Sequence, residues 1–168
     1  MNPIRIIETF NLVVGKLFSF FVFAGMAIVV YEVIARYAFN APSVWAPGYT
    51  QRVFAGYFIL IGAYTLIKGG HVRVDILLNT RSPRWNALTE IINYLALTIW
   101  TLALTYEAWF YFVDAWEFNE VDASALRHPM WPVNLTLFIG TALIMIQGVS
   151  GVLTSSIELI KPKQQSKG

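Results

Sequence analysis

The chain has 168 residues, a formal net charge of +2 and a mean hydropathy of +0.56. Apolar residues make up 57% and charged residues 13%, against roughly 25% charged in soluble domains, which excludes an ordinary water-soluble domain and leaves no basic patch for nucleic acid. Cysteine is absent, so disulfides, thiolate metal sites and cysteine nucleophiles are excluded as well.

Four apolar stretches follow one another, at residues 10–35, 53–67, 87–113 and 133–157. A bilayer-spanning helix needs ~20 mostly apolar residues. Lipid supplies no hydrogen-bond partners, so each segment must satisfy its own backbone as a helix. The expectation is an all-α membrane protein, a single domain of four transmembrane helices over about 10–36, 49–68, 86–113 and 132–158. The first stretch exceeds the ~7–15 apolar residues of a signal peptide and ends in Glu32, Arg36 and Tyr37. It reads as a retained span.

The first link holds Pro42, Pro47 and Gly48 around Trp45. Each proline biases the residue before it away from helix, so a loop is expected, with Trp45 as an interfacial anchor. The second link opens with Gly69 and Gly70, a natural helix stop. Val72, Val74, Ile76 and Leu77 then interleave with Arg73 and Asp75, the pattern of a short segment lying on the membrane surface. Ser82 and Pro83 suit the start of the third helix. The third link carries Asp114, Glu117, Glu120 and Asp122, then Arg127, His128 and Pro129. The polar tail, 161–168, is expected to be disordered.

Basic residues cluster on one side: Arg5 near the start, Lys68, Arg73, Arg81 and Arg84 in the second link, and Lys161, Lys163 and Lys167 in the tail. The positive-inside rule places both termini and the second link in the cytoplasm.

Charges within spans are functional hypotheses by default. Glu32 and Arg36 share a helix face, Arg52 opens the second span, and Glu107 lies in the outward half of the third. They read either as an ion or proton relay, or as structural ion-pair candidates tying three helices together or a docking face for another subunit. A relay needs groups distributed through the midplane, and residues 133–157 hold no acid or base, so the structural reading is preferred. Lys16 and Glu90 sit near inner helix ends, where a pairing is possible. Gly148, Gly151 and Ser155 on the fourth span, with Gly56 and Ala63 on the second, form small-residue stripes of the kind that let helices approach.

No chemistry is assembled. His71 and His128 lie in loops on opposite sides, so neither haem nor zinc has its ligands. Ser124 near His128 lacks an orienting acid in the immediate sequence. No phosphate-binding loop or dinucleotide fingerprint appears. The expectation is no catalytic residue, no cofactor, no metal and no substrate bound by this chain alone.

One family matches these landmarks. They are Arg36-x-x-Phe39-Asn40, Trp45 with Arg52 seven later, Gly62-Ala63, and Lys68-Gly69-Gly70-His71-Val72-Arg73-Val74-Asp75. Ser124-Ala125-Leu126-Arg127-His128-Pro129-x-Trp131-Pro132 follows. The chain resembles the small permease subunit of tripartite ATP-independent periplasmic (TRAP) transporters, a four-span component of the inner membrane. One departure is Gly48, where the family usually carries an acid about three positions after the tryptophan. The resemblance implies a large permease as partner, holding the substrate and sodium sites, and a periplasmic substrate-binding protein that delivers an organic anion. It implies a scaffold role for the small subunit, with Trp45, Glu117, Glu120, Asp122 and Arg127 as periplasmic docking candidates. It also makes Gly69, Gly70, His71, Arg73 and Asp75 a family-motif turn. The alternatives are a self-sufficient oligomeric channel or carrier lined by Glu32, Arg36, Arg52 and Glu107, and, less favoured, a small membrane enzyme.

Overall fold

The computed structural model describes residues 3–69 and 83–160. They form five helices: α1 (Pro3–Ser19), α2 (Phe21–Tyr37), α3 (Ala46–Ile67), α4 (Pro83–Glu117) and α5 (Trp131–Ile160). The first two run on as one apolar rod, so four rods are long and apolar enough to cross a membrane. Phe20 interrupts the first rod. There the Ser19 hydroxyl donates to the Lys16 carbonyl at 2.7 Å, and the Phe23 amide reaches only three residues back, to Phe20, at 3.1 Å. A side chain competing for a helix carbonyl is a recognised cause of such breaks.

The rods outrun the apolar stretches. α1 starts at Pro3 rather than near 10, and α4 continues to Glu117 rather than 113. Backbone hydrogen bonding does not require apolar side chains, so helices carry on into the headgroup region. The first and third rods span 34 and 33 residues, about 50 Å at 1.5 Å per residue. That exceeds a ~30 Å hydrocarbon core, and tilt or protrusion takes up the excess.

α3 lies at the centre. The α1–α2 rod runs antiparallel along it, with Gly15 against Tyr64 and Gly25 against Phe54. α5 runs parallel to α3 on another side, with Gly62 against Ile144 and Gly140 against Ile59. α1 also touches α5. α4 packs antiparallel on α5 and on no other described helix. The predicted stripe on the last span faces α4: Gly148 meets Thr98, Gly151 meets the Tyr94 ring, and the Ser155 hydroxyl donates to Glu90 at 3.2 Å.

The core is thin. Its buried apolar residues are Ala46, Leu60, Ala63, Leu66, Ala87, Ala108 and Ala115, mostly too small to hold helices by burial alone. Large side chains point outward instead, Phe20 and Trp100 at 69% and 66% exposure. Helix contact through small residues, with bulky ones outside, is the arrangement of a bundle in lipid. The buried polar groups among the described residues are all uncharged. Thr101, Thr105 and Thr141 return their hydroxyls to the carbonyl four residues back at 2.7–2.9 Å. Asn11 donates to Gln147 at 3.0 Å, linking α1 to α5.

At the end of α3, Gly69 adopts φ +70°, the left-handed turn that suits glycine after a helix. The expected surface segment and Ser82, with Gly70, His71, Arg73 and Asp75, lie outside the described residues, as does the 161–168 tail.

The glycine contacts make a paired prediction. A Cβ at Gly140 would stand 2.6 Å from Ile59 Cγ1 and 3.0 Å from the Ile59 carbonyl oxygen, and backbone cannot swing aside. Gly140→Ala is expected to cost about 1–3 kcal/mol, as overpacking does. At Gly56 the nearest atom would be 3.7 Å away, on Thr136, so Gly56→Ala is expected to be neutral or to gain up to ~1 kcal/mol from helix propensity. Thermal unfolding of both variants in one detergent checks the contrast.

Candidate functional site

Two polar clasps sit at the end of the bundle where the α2–α3 and α4–α5 links meet. The first is built on Glu32. One carboxylate oxygen accepts from Arg36 Nη2 at 2.6 Å and Nε at 3.1 Å. The other accepts from the Ser43 amide at 3.1 Å and hydroxyl at 2.6 Å. Ser43 Oγ in turn accepts the Ala46 amide, the first of α3, at 3.2 Å. One carboxylate thus ties the last turns of α2 to the start of α3. The link reverses through Asn40 at φ 51°, a conformation asparagine tolerates.

The second clasp is built on Asp122. Its Oδ2 accepts from Arg52 Nη2, while Arg52 Nη1 donates to the Gly48 carbonyl at 3.3 Å. Asp122 Oδ1 accepts from the Ser124 hydroxyl at 2.6 Å, the Ser124 amide at 3.2 Å and the His128 amide at 3.0 Å. Backbone bonds close the loop around it: Asp122 amide to His128 carbonyl and Met130 amide to Glu120 carbonyl, both 2.9 Å. Arg127 turns the chain at φ 48°. So many donors favour the ionised form. The Ser124 hydroxyl first, then Arg52, and also the His128 amide hold the Asp122 carboxyl down to about 2.

Aromatic rings bridge the two clasps. Tyr31 stacks on Trp45 at 5.4 Å, Trp45 meets Tyr49 edge-on at 6.0 Å, and Tyr49 meets His128 edge-on at 5.0 Å. Trp45 is therefore held between two rings and keeps 38% exposure. Glu117, Glu120 and Arg127 are exposed. Beside Arg52, a groove of about 380 Å³ opens between α3 and α5, lined by Ala55, Gly56, Ile59, Val133 and Thr136.

The four span charges do not join into one network. Glu32 and Arg36 pair locally, at 2.6 Å. Arg52 pairs with Asp122, a residue read from the sequence only as a docking candidate. Glu107 is exposed on α4 and has no ion-pair partner among the described residues. The reason is azimuth: α4 touches only α5, so Glu107 cannot reach α2 or α3 whatever its depth. The missed partner did leave a local signal. Asp122-Ala123-Ser124 has the spacing at which an aspartate bonds the backbone two residues on.

Ser124 and His128 both serve Asp122, through a hydroxyl and a backbone amide, and the His128 ring packs on Tyr49. Among the described residues no three His, Cys, Asp or Glu converge as metal ligands.

A family model for tripartite ATP-independent periplasmic transporters, DctQ component, matches residues 25–156. The chain belongs to this family. The match runs from α2 to α5 and covers both clasps. No curated protein sequence matches the chain. DctQ is a transporter component and not an enzyme family. With the four apolar rods, this makes the chain a multi-pass membrane subunit of a TRAP transporter.

The Asp122 clasp has a defined pH dependence. Its carboxyl lies below the ordinary 3.8 when folded, so its stabilisation is complete above that value and is lost as pH falls towards 2. The difference in thermal midpoint between wild type and Asp122→Asn is expected to stay constant from about pH 8 to pH 5. It should shrink below about pH 4 and vanish near pH 2. Unfolding scans of the two proteins across that range measure it.

Proposed function

We propose that this DctQ subunit serves a sodium-coupled importer of organic anions, as the fixed scaffold of the large permease and as part of the landing surface for the periplasmic substrate-binding protein. In this reading it lies in the bacterial cytoplasmic membrane with both termini cytoplasmic, as the basic residues favour. The clasped end then faces the periplasm.

The observation that carries the scaffold role is the uncharged interior. The buried polar residues among those described are Asn11, Thr101, Thr105, Thr141, Gln147, Ser150 and Ser155. Sites that move ions or anions through a membrane gather charges, unwound helices and helix ends near the midplane. Here Glu32, Arg36 and Arg52 gather at one end and are spent on fastening links to helices. Transport chemistry is thus assigned to the partner.

The landing surface is supported by the same end. Asp122 and Glu32 hold its loops in place from within, while Glu117 and Glu120 stay exposed. Exposed charges on a fixed frame steer encounter with a partner of opposite sign.

Vesicles with an inward sodium gradient test the proposal. This chain alone is expected to give no uptake above empty vesicles. The large permease with loaded binding protein is expected to give sodium-dependent uptake that collapses when this chain is left out. Solute flux with this chain alone would instead establish the self-sufficient channel or carrier. Glu117→Lys combined with Glu120→Lys is expected to raise severalfold the binding-protein concentration giving half-maximal uptake, with recovery of the membrane complex unchanged.

A further inference from the structure

We infer that the face of α4 carrying Ala96, Trp100, Ala103 and Glu107 is where the large permease docks, and that Glu107 there meets a cationic side chain, arginine or lysine, of that permease. The inference rests on the scaffold reading above and adds the surface and the chemistry of the contact.

Placement comes first. The ring contact of Trp109 with Phe138 at 5.2 Å sets Glu107 close to the level of Gly140, which itself packs on Ile59. Ile59 lies about 20 Å from the Ala46 end of α3 and about 12 Å from its Ile67 end at 1.5 Å per residue. On α4 itself, Trp116 stands about 13 Å beyond Glu107, and it packs against Trp131 at 5.2 Å, where α5 begins. Glu107 is therefore well inside the hydrocarbon. A carboxylate at that depth is costly unless another group compensates it, and none among the described residues does.

The surroundings of Glu107 are those of a helix contact. Ala96, Trp100, Ala103 and Glu107 follow the i, i+4, i+7, i+11 spacing of one helix stripe, and all four are exposed. Two alanines flanking a large ring leave room for a second backbone to approach. The neighbouring stripe is different. Ile92, Ile99, Tyr106 and Phe110 are bulky and exposed, as suits lipid. α4 is also the edge helix, held by α5 alone, so an incoming helix meets no obstruction from α1, α2 or α3. Among the occupants, a second copy of this chain is disfavoured by charge, since symmetric contact would set Glu107 against Glu107. A cation at the matching depth complements it.

The chain contains no native cysteine, so one introduced thiol is a unique handle. Ala103→Cys and, as the lipid-facing control at the same depth but about 100° round the helix, Leu102→Cys, whose side chain is exposed, are each labelled with a photoactivatable benzophenone in the complex co-expressed with the large permease. The expected result is an adduct to the permease from position 103 and to lipid from position 102. Glu107→Gln and Glu107→Leu are expected to lower permease recovered with the tagged chain about threefold or more. Adducts from 103 to lipid alone, or to a second copy of this chain, overturn the docking face. A permease adduct with undiminished recovery for both Glu107 variants overturns the charge pairing and keeps the face. If the unsubstituted chain recovers no permease, the scaffold reading itself fails, a result that the variants do not resemble.

Discussion

The contact between Arg52 and Asp122 fixes the loop that joins the last two helices. Among the described helices α4 packs on α5 alone, and the loop between the two is its other described tie. That loop is fastened to α3 through Asp122, and the same carboxylate organises the loop through Ser124 and His128. One side chain therefore sets both the loop's internal shape and its attachment to the central helix. Only an aspartate reaches all of these donors at once, since the Asx bond to Ser124 needs a carboxyl one carbon from the backbone. The guanidinium, planar and permanently charged, completes the set without competing for a proton.

Between the helices the constraint is different. In lipid, burying a large apolar side chain against another helix gains little over leaving it among acyl chains. What remains is close approach, and the seams are accordingly made by glycine and alanine. Gly140 sits against the Ile59 backbone, Gly151 against a tyrosine ring, and Ala63, Ala108 and Ala115 are almost fully buried. Threonine fits the same rule because its hydroxyl is satisfied by its own helix. The charged clasps at one end supply what the small-residue seams cannot, a directional fastening of links to helices. The division explains why the buried residues among those described are uncharged: the two described ion pairs are at the end where loops need fixing.

The sequence disclosed properties that depend on one dimension and concealed those that depend on rotation about a helix axis. Four rods long and apolar enough to span, the Gly69 stop and the loop around Pro42 follow from hydropathy and backbone chemistry, and all are present. Pro47 and Gly48, expected in that loop, instead sit in the first turn of α3, where a proline's missing amide has no helical partner to lose. The stripe of Gly148, Gly151 and Ser155 was visible too, although only the fold shows that α4 receives it. By contrast, an expected common depth grouped Glu107 with Glu32, Arg36 and Arg52, although Glu107 stands level with Gly140 and Ile59, about 10 Å along α3 from Arg52. Two charges at similar depth meet only if their helices are neighbours and turned toward one another, and a single sequence carries no such information across a 70-residue separation such as that of Arg52 and Asp122. The break at Phe20 was hidden for another reason. It has neither proline nor glycine, and arises because Ser19 claims a carbonyl.

Gly48, where the resemblance led us to expect an acid, leaves its carbonyl to a neighbouring group. A Cβ at this position would stand 3.2 Å from Arg52 Nη1, so an acid there would meet the guanidinium one helical turn away. With glycine, the same Nη1 turns to the Gly48 carbonyl at 3.3 Å, and Nη2 remains on Asp122. The guanidinium keeps both contacts, one of them now to a neutral oxygen. A second carboxylate beside Arg52 would repel Asp122 across the guanidinium, offsetting part of its own attraction. With glycine, Asp122 is the carboxylate that pairs with Arg52 among the described residues. It follows that the ionic fastening of the α4–α5 loop to the central helix is concentrated on a single carboxylate, beside the glycine seams that pack α5 on α3, while the α2–α3 link is tied separately through Glu32 and Ser43.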